Sequence, residues 1–471
     1  MAMITSIFSS IPQHIVEDIM ESLPVKAIVR FKSLSKHYFS YFTSSSFIFT
    51  HYLFSSLNPS LIIPLHCNPW LVNFNISNIK DKKKTTNLVI ESPFPTSHQT
   101  RVVSCSFGLV CVSLTKFHTN VVVWNPATGQ FRTLPESSID IVEFLETRMI
   151  IKICLGFGFD RAFEDFKVVR IVYHLIETDS IDLNVQVEVF RRSTGTWRSI
   201  DLDSDGVTIG FDMEETKIRD RFPATVVNGV IYWNAIDNNP DWYEHFIVAF
   251  DISDETFRKI PLPQACENVS YWCILQWENS IATFVPQIED QETVFDVWLM
   301  RNGSSSSDDD DDDGEGWIKV MSIGGFPDLT FPIMASNGYN HHIIVMKTKK
   351  KDKSSDLIMY DFKTKQSKNL RIEEAHNVYM AHQYVESLVS VYGEEGNEAH
   401  GMVSQFTWVC SSGAGMGRQW ARSWSVPWPN SPNTQHCFAL STSPEKGPKS
   451  PVLWALEGSS SLKLRPWDEV Y

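Results

Sequence analysis

The sequence predicts a mainly β protein: a β-propeller of about six blades, preceded by a small all-α domain. Three observations carry this. Apolar strand pairs recur through the middle of the chain, aromatic residues flank their turns at a constant spacing, and only the N-terminal segment reads as helix.

The repeat is clearest in four segments, "VVVWNPATGQFRTLP" (121–135), "VEVFRRSTGTWRSID" (187–201), "IVAFDISDETFRKIPLP" (247–263) and "LIMYDFKTKQSKNLRI" (357–372). Each is an apolar strand ending in an aromatic, then a polar turn, then a second strand. In the first three, one aromatic follows another at a spacing of seven: Trp124 and Phe131, Phe190 and Trp197, Phe250 and Phe257. A fifth unit, "VFDVWLM…GWIKVMSI", fits if the acidic run at 303–316 is an insertion in its turn. Phe131, Trp197, Phe257 and Trp317 then stand 60–66 residues apart. Another strand pair precedes each unit: "GLVCVS" (108–113), "GFGFDRAFEDFKVVRIVY" (156–173), "TVVNGVIYWNAI" (225–236), "CILQWENSIATFVP" (273–286) and "NGYNHHIIVM" (337–346). Runs of Val, Ile, Phe, Tyr and Trp broken by Asn-Gly or Asp-containing turns are hairpin signals. Two hairpins make a four-stranded blade, and repeated blades make a propeller; an irregular β-sandwich is the competing architecture. A ring must join its ends or expose strand edges. The strands at 60–65 and 69–76 lack a second hairpin, and "YVESLVSV" (384–391) lacks a partner, so the two regions are expected to complete a sixth blade. Tyr384, Val385, Leu388, Val389 and Val391 would supply much of its apolar content.

Ahead of the repeat, "IPQHIVEDIMESLPVKAIVRFKSLSKHYFSYF" (11–42) predicts short helices. Ser10 can cap a helix with Pro12 in its first turn. Ile11, Ile15, Ile19 and Leu23 recur every four residues with Val16 and Met20 beside them, while Glu17, Asp18 and Glu21 lie opposite. Pro24 ends that helix. Val25–Phe31 is a second, Ser35 caps a third carrying Tyr38, Phe39 and Phe42, and a fourth near 46–54 brings Phe47, Phe49 and Tyr52. A unit of about 45 residues is marginal alone. Each such side chain buried is worth roughly 1.5–3 kcal/mol. The stripes therefore call for a cover, either the following domain or another chain.

Composition narrows the function. The 471 residues are 43% apolar and carry a formal net charge of −15. An acidic chain is a poor general binder of nucleic acid or anionic membrane, and no apolar run reaches the ~18–20 residues of a membrane span. "MAMITSIFSS" has no basic n-region of a secretory signal. Cys67, Cys105, Cys111, Cys154, Cys266, Cys273, Cys410 and Cys437 are scattered without a C-x-x-C pair and read as reduced thiols of an intracellular protein. The N-x-[ST] triplets at Asn75, Asn268 and Asn302 are then chance matches. "GFGFD" at Gly156 lacks the third glycine and the strand-turn-helix context of a dinucleotide loop, and no Walker-type loop, H-E-x-x-H or G-x-S-x-G is present. His341 and His342 are adjacent strand residues that point to opposite faces, so they read as ordinary histidines rather than a metal pair. No cofactor, metal or catalytic residue is expected.

The helical stretch resembles the F-box, whose pattern is a hydrophobic-Pro start, an Ile/Leu-rich helix, "LP" and then "K-[SA]-[LI]-x-R-F". The chain supplies Ile11-Pro12, Ile15, Ile19, Leu23-Pro24 and Lys26-Ala27-Ile28-Val29-Arg30-Phe31, with Ser35 where a Cys and Tyr38 where a Trp is usual. The repeat region, from "SFGLVCVS…VVVWNPATGQFRTLP" to "AFDISDETFRKIPLP", resembles the kelch-like F-box-associated interaction domain of plant F-box proteins. Its ending "YVESLVSV" is similar to the S-locus F-box branch. The match runs in order over roughly 11–391.

The resemblance implies an F-box helical domain at 1–55 and an F-box-associated propeller at 56–392. It implies a non-catalytic substrate receptor of an SCF-type ubiquitin ligase. The F-box would dock a Skp-type linker protein, and through it a cullin-RING ligase, by Ile11, Pro12, Ile15, Ile19, Leu23, Pro24, Val25, Ile28, Phe31 and Tyr38. Propeller loops would bind a target protein, whose contacting residues are unassigned. A ligase-independent scaffold or inhibitor with a degenerate F-box is the alternative, and a kelch-fold enzyme would need an axial cluster of ligands that the sequence does not assemble. The expected location is cytoplasmic, with the nucleus as a second compartment. The acidic insertion at 303–316 is charge-dense and expected to be disordered, either as a solvated loop or as a phosphorylatable arm. The Lys-rich 347–356 joins two strands as a charged turn. The tail at 393–471 lies outside the repeat and is expected to be irregular or disordered, although its tryptophans would suit binding.

Overall fold

A computed structural model shows, among the residues it describes, four helices near the N-terminus followed almost entirely by strands. It describes residues 12–392 except 69–70, 79–85, 98, 116–117, 140, 142–149, 178–180, 205–206, 210, 220–223, 238–243, 267–268, 270–271, 290–291, 302–315, 328, 336–341, 349–354 and 371–380. Beyond 392 it describes 422–424, 438–440, 453–456 and 462–465. The chain divides into two compact units, Met1–Gly401 and Met402–Tyr471.

The helices are α1 (Gln13–Glu21), α2 (Val25–Phe31), α3 (Lys36–Thr43) and α4 (Ser45–Ser56). Pro12 is the N-cap of α1 rather than part of its first turn, and Pro24 stands at the N-cap of α2. Ser35 and Ser44 cap α3 and α4, their hydroxyls accepting from the amides of Tyr38 and Phe47.

Six sheets follow. The first contains β1 (Ser60–Asn68), β2 (Leu71–Asn78) and β3 (Thr86–Ile90); the second β4 (Arg101–Ser106), β5 (Leu109–Ser113), β6 (Val121–Trp124) and β7 (Phe131–Thr133). The third is β8 (Ile150–Phe159), β9 (Phe166–Glu177), β10 (Ile181–Arg191) and β11 (Trp197–Ile200). The fourth takes β12 (Thr208–Ile209) and β13 (Thr216–Ile218) as additions to β14 (Thr225–Val227), β15 (Val230–Asp237), β16 (His245–Asp251) and β17 (Thr256–Pro261). The fifth is β18 (Cys273–Trp277), β19 (Ser280–Glu289), β20 (Glu292–Met300) and β21 (Trp317–Pro327); the sixth β22 (Leu329–Ala335), β23 (His342–Thr348), β24 (Ser355–Asp361) and β25 (Gln366–Asn369). A last strand, β26 (His382–Tyr384), returns to pair antiparallel with β1, Ser60 opposite Tyr384 and Ile62 opposite His382. The first sheet thus runs β26-β1-β2-β3 and joins the two ends of the ring.

Each apolar cluster between blades takes residues from two neighbouring sheets, and the clusters run full circle. Val110 and Trp124 of blade 2 meet Ile62 and Tyr384 of blade 1. Leu61 and Ile63 on the other face of β1 meet Ile344 and Met359 of blade 6. This is the period-two alternation of strands buried on both faces. The aromatic spacing of seven has a direct cause: Trp124 and Phe131, Phe190 and Trp197, and Phe250 and Phe257 are cross-strand partners of the outer hairpins. Met300 opposite Trp317 fills the same place in blade 5. The Arg301 amide donates to the Gly316 carbonyl at 2.7 Å, so the acidic insertion hangs from that hairpin's turn, itself outside the described residues. Gly156 and Gly158, the glycines of "GFGFD", belong to β8. A Cβ on Gly156 would collide with the Trp233 ring and one on Gly158 would stand 2.7 Å from Ile252, so these glycines let the next blade pack close.

Three readings need correction. Blade 4 has six strands because the connection 201–224 contributes β12, parallel to β17, and β13, antiparallel to β15. The inner pair of blade 6 is β22 with β23, so "NGYNHHIIVM" supplies only its second strand. Of the five apolar residues assigned to the closing blade, only Tyr384 lies in its strand; Val385–Tyr392 continues as an extended strap along blades 2 and 3. In the second unit, β27 (Arg422–Trp424), β28 (Phe438–Leu440), β29 (Leu453–Leu456) and β30 (Leu462–Arg465) pair antiparallel in chain order, in a tail without legible periodicity.

The closing strand carries a pH sensitivity. His382 is buried, its Nε2 has no hydrogen-bond partner, and burial pushes its pKa down to about 4. The unfolded chain therefore binds a proton below about pH 6.5 that the folded chain refuses until about pH 4. Stability is lost as pH falls through that window, by about 3 kcal/mol in all at roughly 1.4 kcal/mol per unit. His174 and His245, also lowered by burial, add in the same direction. Urea unfolding at pH 7.0 and 4.5 should show the wild type losing more stability on acidification than His382→Phe; equal losses would mean that His382 is not the group.

Candidate functional site

The helices enclose a core of Met20, Val25, Ile28, Phe42 and Phe47. Phe42 is stacked on Tyr38 at 5.8 Å and meets Phe47 edge-on at 5.0 Å. His51 is buried among them, its Nε2 2.8 Å from the Leu23 carbonyl. The two departures from the F-box pattern are accommodated here: Ser35 is a helix cap and the Tyr38 ring packs on the core.

The residues assigned to linker docking divide by exposure. Ile15 and Ile19, one turn apart on α1, are 41% and 46% exposed. Pro12 and Pro24 are also exposed, while Leu23, Phe31 and Tyr38 are half-buried against the helical core. Val25 and Ile28 are fully buried, so they belong to the helical core and present no surface to another chain. Ile11 lies outside the described residues. The exposed set also includes Val29, Phe39 and Leu34, the last at 63%. Leu34 was missed because it falls between helical stripes; its signal was a lone apolar residue in the polar run Lys32–Lys36. Beside the apolar residues, burial together with Asp18 and Glu17 raises the Glu21 pKa, and burial lowers that of Lys32.

One helix seats this domain on the propeller. Tyr52 of α4 lies 4.0 Å from the Phe107 ring, and Phe49 lies 5.7 Å from Phe163, with Phe107 and Phe163 stacked at 5.1 Å. Phe107 and Phe163 occupy the turns β4–β5 and β8–β9 with φ of +49° and +58°. Such backbone costs a bulky residue on the order of 1–3 kcal/mol, offset here by the aromatic contacts. Ala127, in the β6–β7 turn, also packs against the helical core. Turns between first and second and between third and fourth strands share one edge of a meander. The helices therefore cover that edge at blades 2 and 3. The opposite edge carries the second-to-third turns and the blade connections, including 201–224.

Among the described residues, no group of three or more His, Cys, Asp and Glu could hold a metal, and no helix is long and apolar enough to cross a membrane. Cys105, Cys111, Cys154, Cys266 and Cys273 are free thiols. His342 belongs to β23, its Nε2 3.6 Å from an Asp361 carboxylate oxygen; His341 lies outside the described residues.

Residues 61–391 match the family model described as "F-box associated beta propeller domain". The F-box protein CPR1 of Arabidopsis thaliana is 25% identical over 390 residues, covering 81% of this chain and 89% of that protein. An F-box/kelch-repeat protein of the same plant is 22% identical over 344 residues, covering 70% and 84%.

Proposed function

From a chain that belongs to the F-box-associated β-propeller family, we propose a substrate receptor of an SCF-type ubiquitin ligase. The observation that carries this is the exposed pair Ile15 and Ile19 on a helical domain fixed to the propeller. Apolar residues left in water on a small domain, outside the core that its other apolar side chains form, point to a partner chain. In this reading the helices dock a Skp-type linker and, through it, a cullin-RING ligase. The propeller holds a target protein at its opposite edge, where loops are displayed by a rigid scaffold. The chain performs no bond chemistry. It raises the local concentration of a target lysine near a ubiquitin-charged enzyme.

The test is capture of a Skp-type linker by the full chain. Ile15→Asp with Ile19→Asp should lower capture by more than tenfold, because carboxylates would be buried in an apolar contact. The melting temperature should stay within about 2 °C, since surface changes are usually within ±0.5 kcal/mol. Leu23→Asp is a poorer probe, because Leu23 also packs on the helical core. Undiminished capture by the double variant would overturn the docking reading. A wild-type chain that captures no linker would favour a scaffold.

A further inference from the structure

We propose that the strap Val385–Tyr392 is the clamp that sets the docking helices on the propeller, so that the docking domain is complete only when the ring is closed. The value of this clamp for ligase assembly rests on the docking reading above; the clamp itself rests on packing alone.

The strap leaves β26 and passes directly over the turn of blade 2. A Cβ on Gly108, which has φ +78°, would collide with the Ser387 side chain and stand 2.8 Å from the Val385 carbonyl, so no larger residue fits under the strap. The buried Asn125 side chain holds the strap from the other hairpin. Its Nδ2 donates to the carbonyls of Ser387 and Val389 at 3.0 and 2.9 Å. Its Oδ1 accepts from the amides of Ala127 and Thr128, shaping the turn on which the helices rest. Further on, the Tyr392 hydroxyl donates to the Phe131 carbonyl at 3.0 Å.

The side chains alternate in destination. Val389 and Val391 enter the core between blades 2 and 3. Leu388, 3% exposed, joins Met20, Val25, Ile28, Phe42 and Phe47 in the helical core. A residue just past the closing strand thus completes the hydrophobic interior of a domain that begins more than 300 residues earlier. The helical domain buries little of its own and borrows from the end of the ring.

Hydrogen exchange on the full chain tests this, with Leu388→Asp, the milder Leu388→Ala, and Glu386→Ala as an exposed strap control. Amides of α1–α4 in Leu388→Asp should exchange at least tenfold faster, while those of blades 4 and 5 stay protected. Glu386→Ala should match the wild type. Linker capture should fall in step with lost protection, whereas the Ile15/Ile19 variant should lose capture with protection intact. If Leu388→Asp is not recovered soluble, Leu388→Ala is read in the same way. Unchanged protection of α1–α4, or equal loss across the blades, would overturn the clamp. A wild-type chain that captures no linker would sink the docking reading and leave the exchange result to decide the clamp.

Discussion

A chain that ends after residue 376 should fail to give a soluble, cooperatively melting protein, whereas one that ends after Tyr392 should give both. The shorter chain lacks β26 and the strap. The edge of β1 at Ser60–Ile62 loses its partner and offers free backbone groups for pairing with other molecules. Tyr384 leaves the cluster between blades 1 and 2, Ala381 the one between blades 6 and 1, and Val389 and Val391 the one between blades 2 and 3. Leu388 leaves the helical core. At roughly 1.5–3 kcal/mol for each large side chain, the loss is on the order of 10 kcal/mol, comparable with the whole stability of an ordinary domain, about 5–15 kcal/mol. Ending at Tyr392 keeps every one of these contacts and removes the separate unit from Met402. Soluble yield and thermal melting of both truncations decide the matter. A soluble 1–376 chain with a single sharp transition would show that the ring does not depend on this closure.

The blades were legible because their code is local. A spacing of seven between aromatics is a cross-strand pair around a short turn, and both partners sit within one short segment, as Phe190 and Trp197 do. The four helices were legible for the same reason, from periodicity and from the cap at Ser35. Ring closure could be inferred from strand arithmetic, since an incomplete pair at one end matched a spare strand at the other. Its register could not, because the pairing of Ile62 with His382 spans the whole ring and leaves no local trace. The strap was misread for a related reason. "YVESLVSV" alternates like a strand, but Leu388 and Val389 are drawn into different cores, and only the three-dimensional arrangement reveals that. The exposed apolar set of the helices was half legible: the stripe gives the apolar residues, but in a small domain some of them must be core. Val25 and Ile28 went inward while Ile15 and Ile19 stayed out.

Glu188→Ala should cost the propeller roughly 3–5 kcal/mol, the usual effect of removing one partner from a buried ion pair. Glu188 and Arg170 face each other across β10 and β9, both out of contact with water, with Nη1 and Oε1 2.5 Å apart. The carboxylate is saturated by donors. Oε1 also accepts from the Ser137 hydroxyl at 2.7 Å, and Oε2 accepts from the Ser138 amide and hydroxyl at 2.8 and 2.6 Å. The guanidinium lies 4.2 Å from the Trp197 ring, and the Trp197 indole donates to the Pro135 carbonyl at 2.9 Å. The pair therefore anchors the connection between blades 2 and 3 as well as blade 3 itself. Burial lowers the Arg170 pKa and the Glu188 carboxylate opposes that shift, so removing the carboxylate leaves a cation with nothing to offset its desolvation. The Ser137 and Ser138 donors would lose their acceptor at the same time. The melting temperature should fall by on the order of 10 °C. Replacing both members, Arg170→Met with Glu188→Leu, should recover the part of the loss that comes from the unpaired cation, while the Ser137 and Ser138 donors stay without their acceptor. The comparison of single and double variants separates the two contributions. A single variant within about 1 kcal/mol of the wild type would show that water reaches this site and that the pair behaves as a surface bridge.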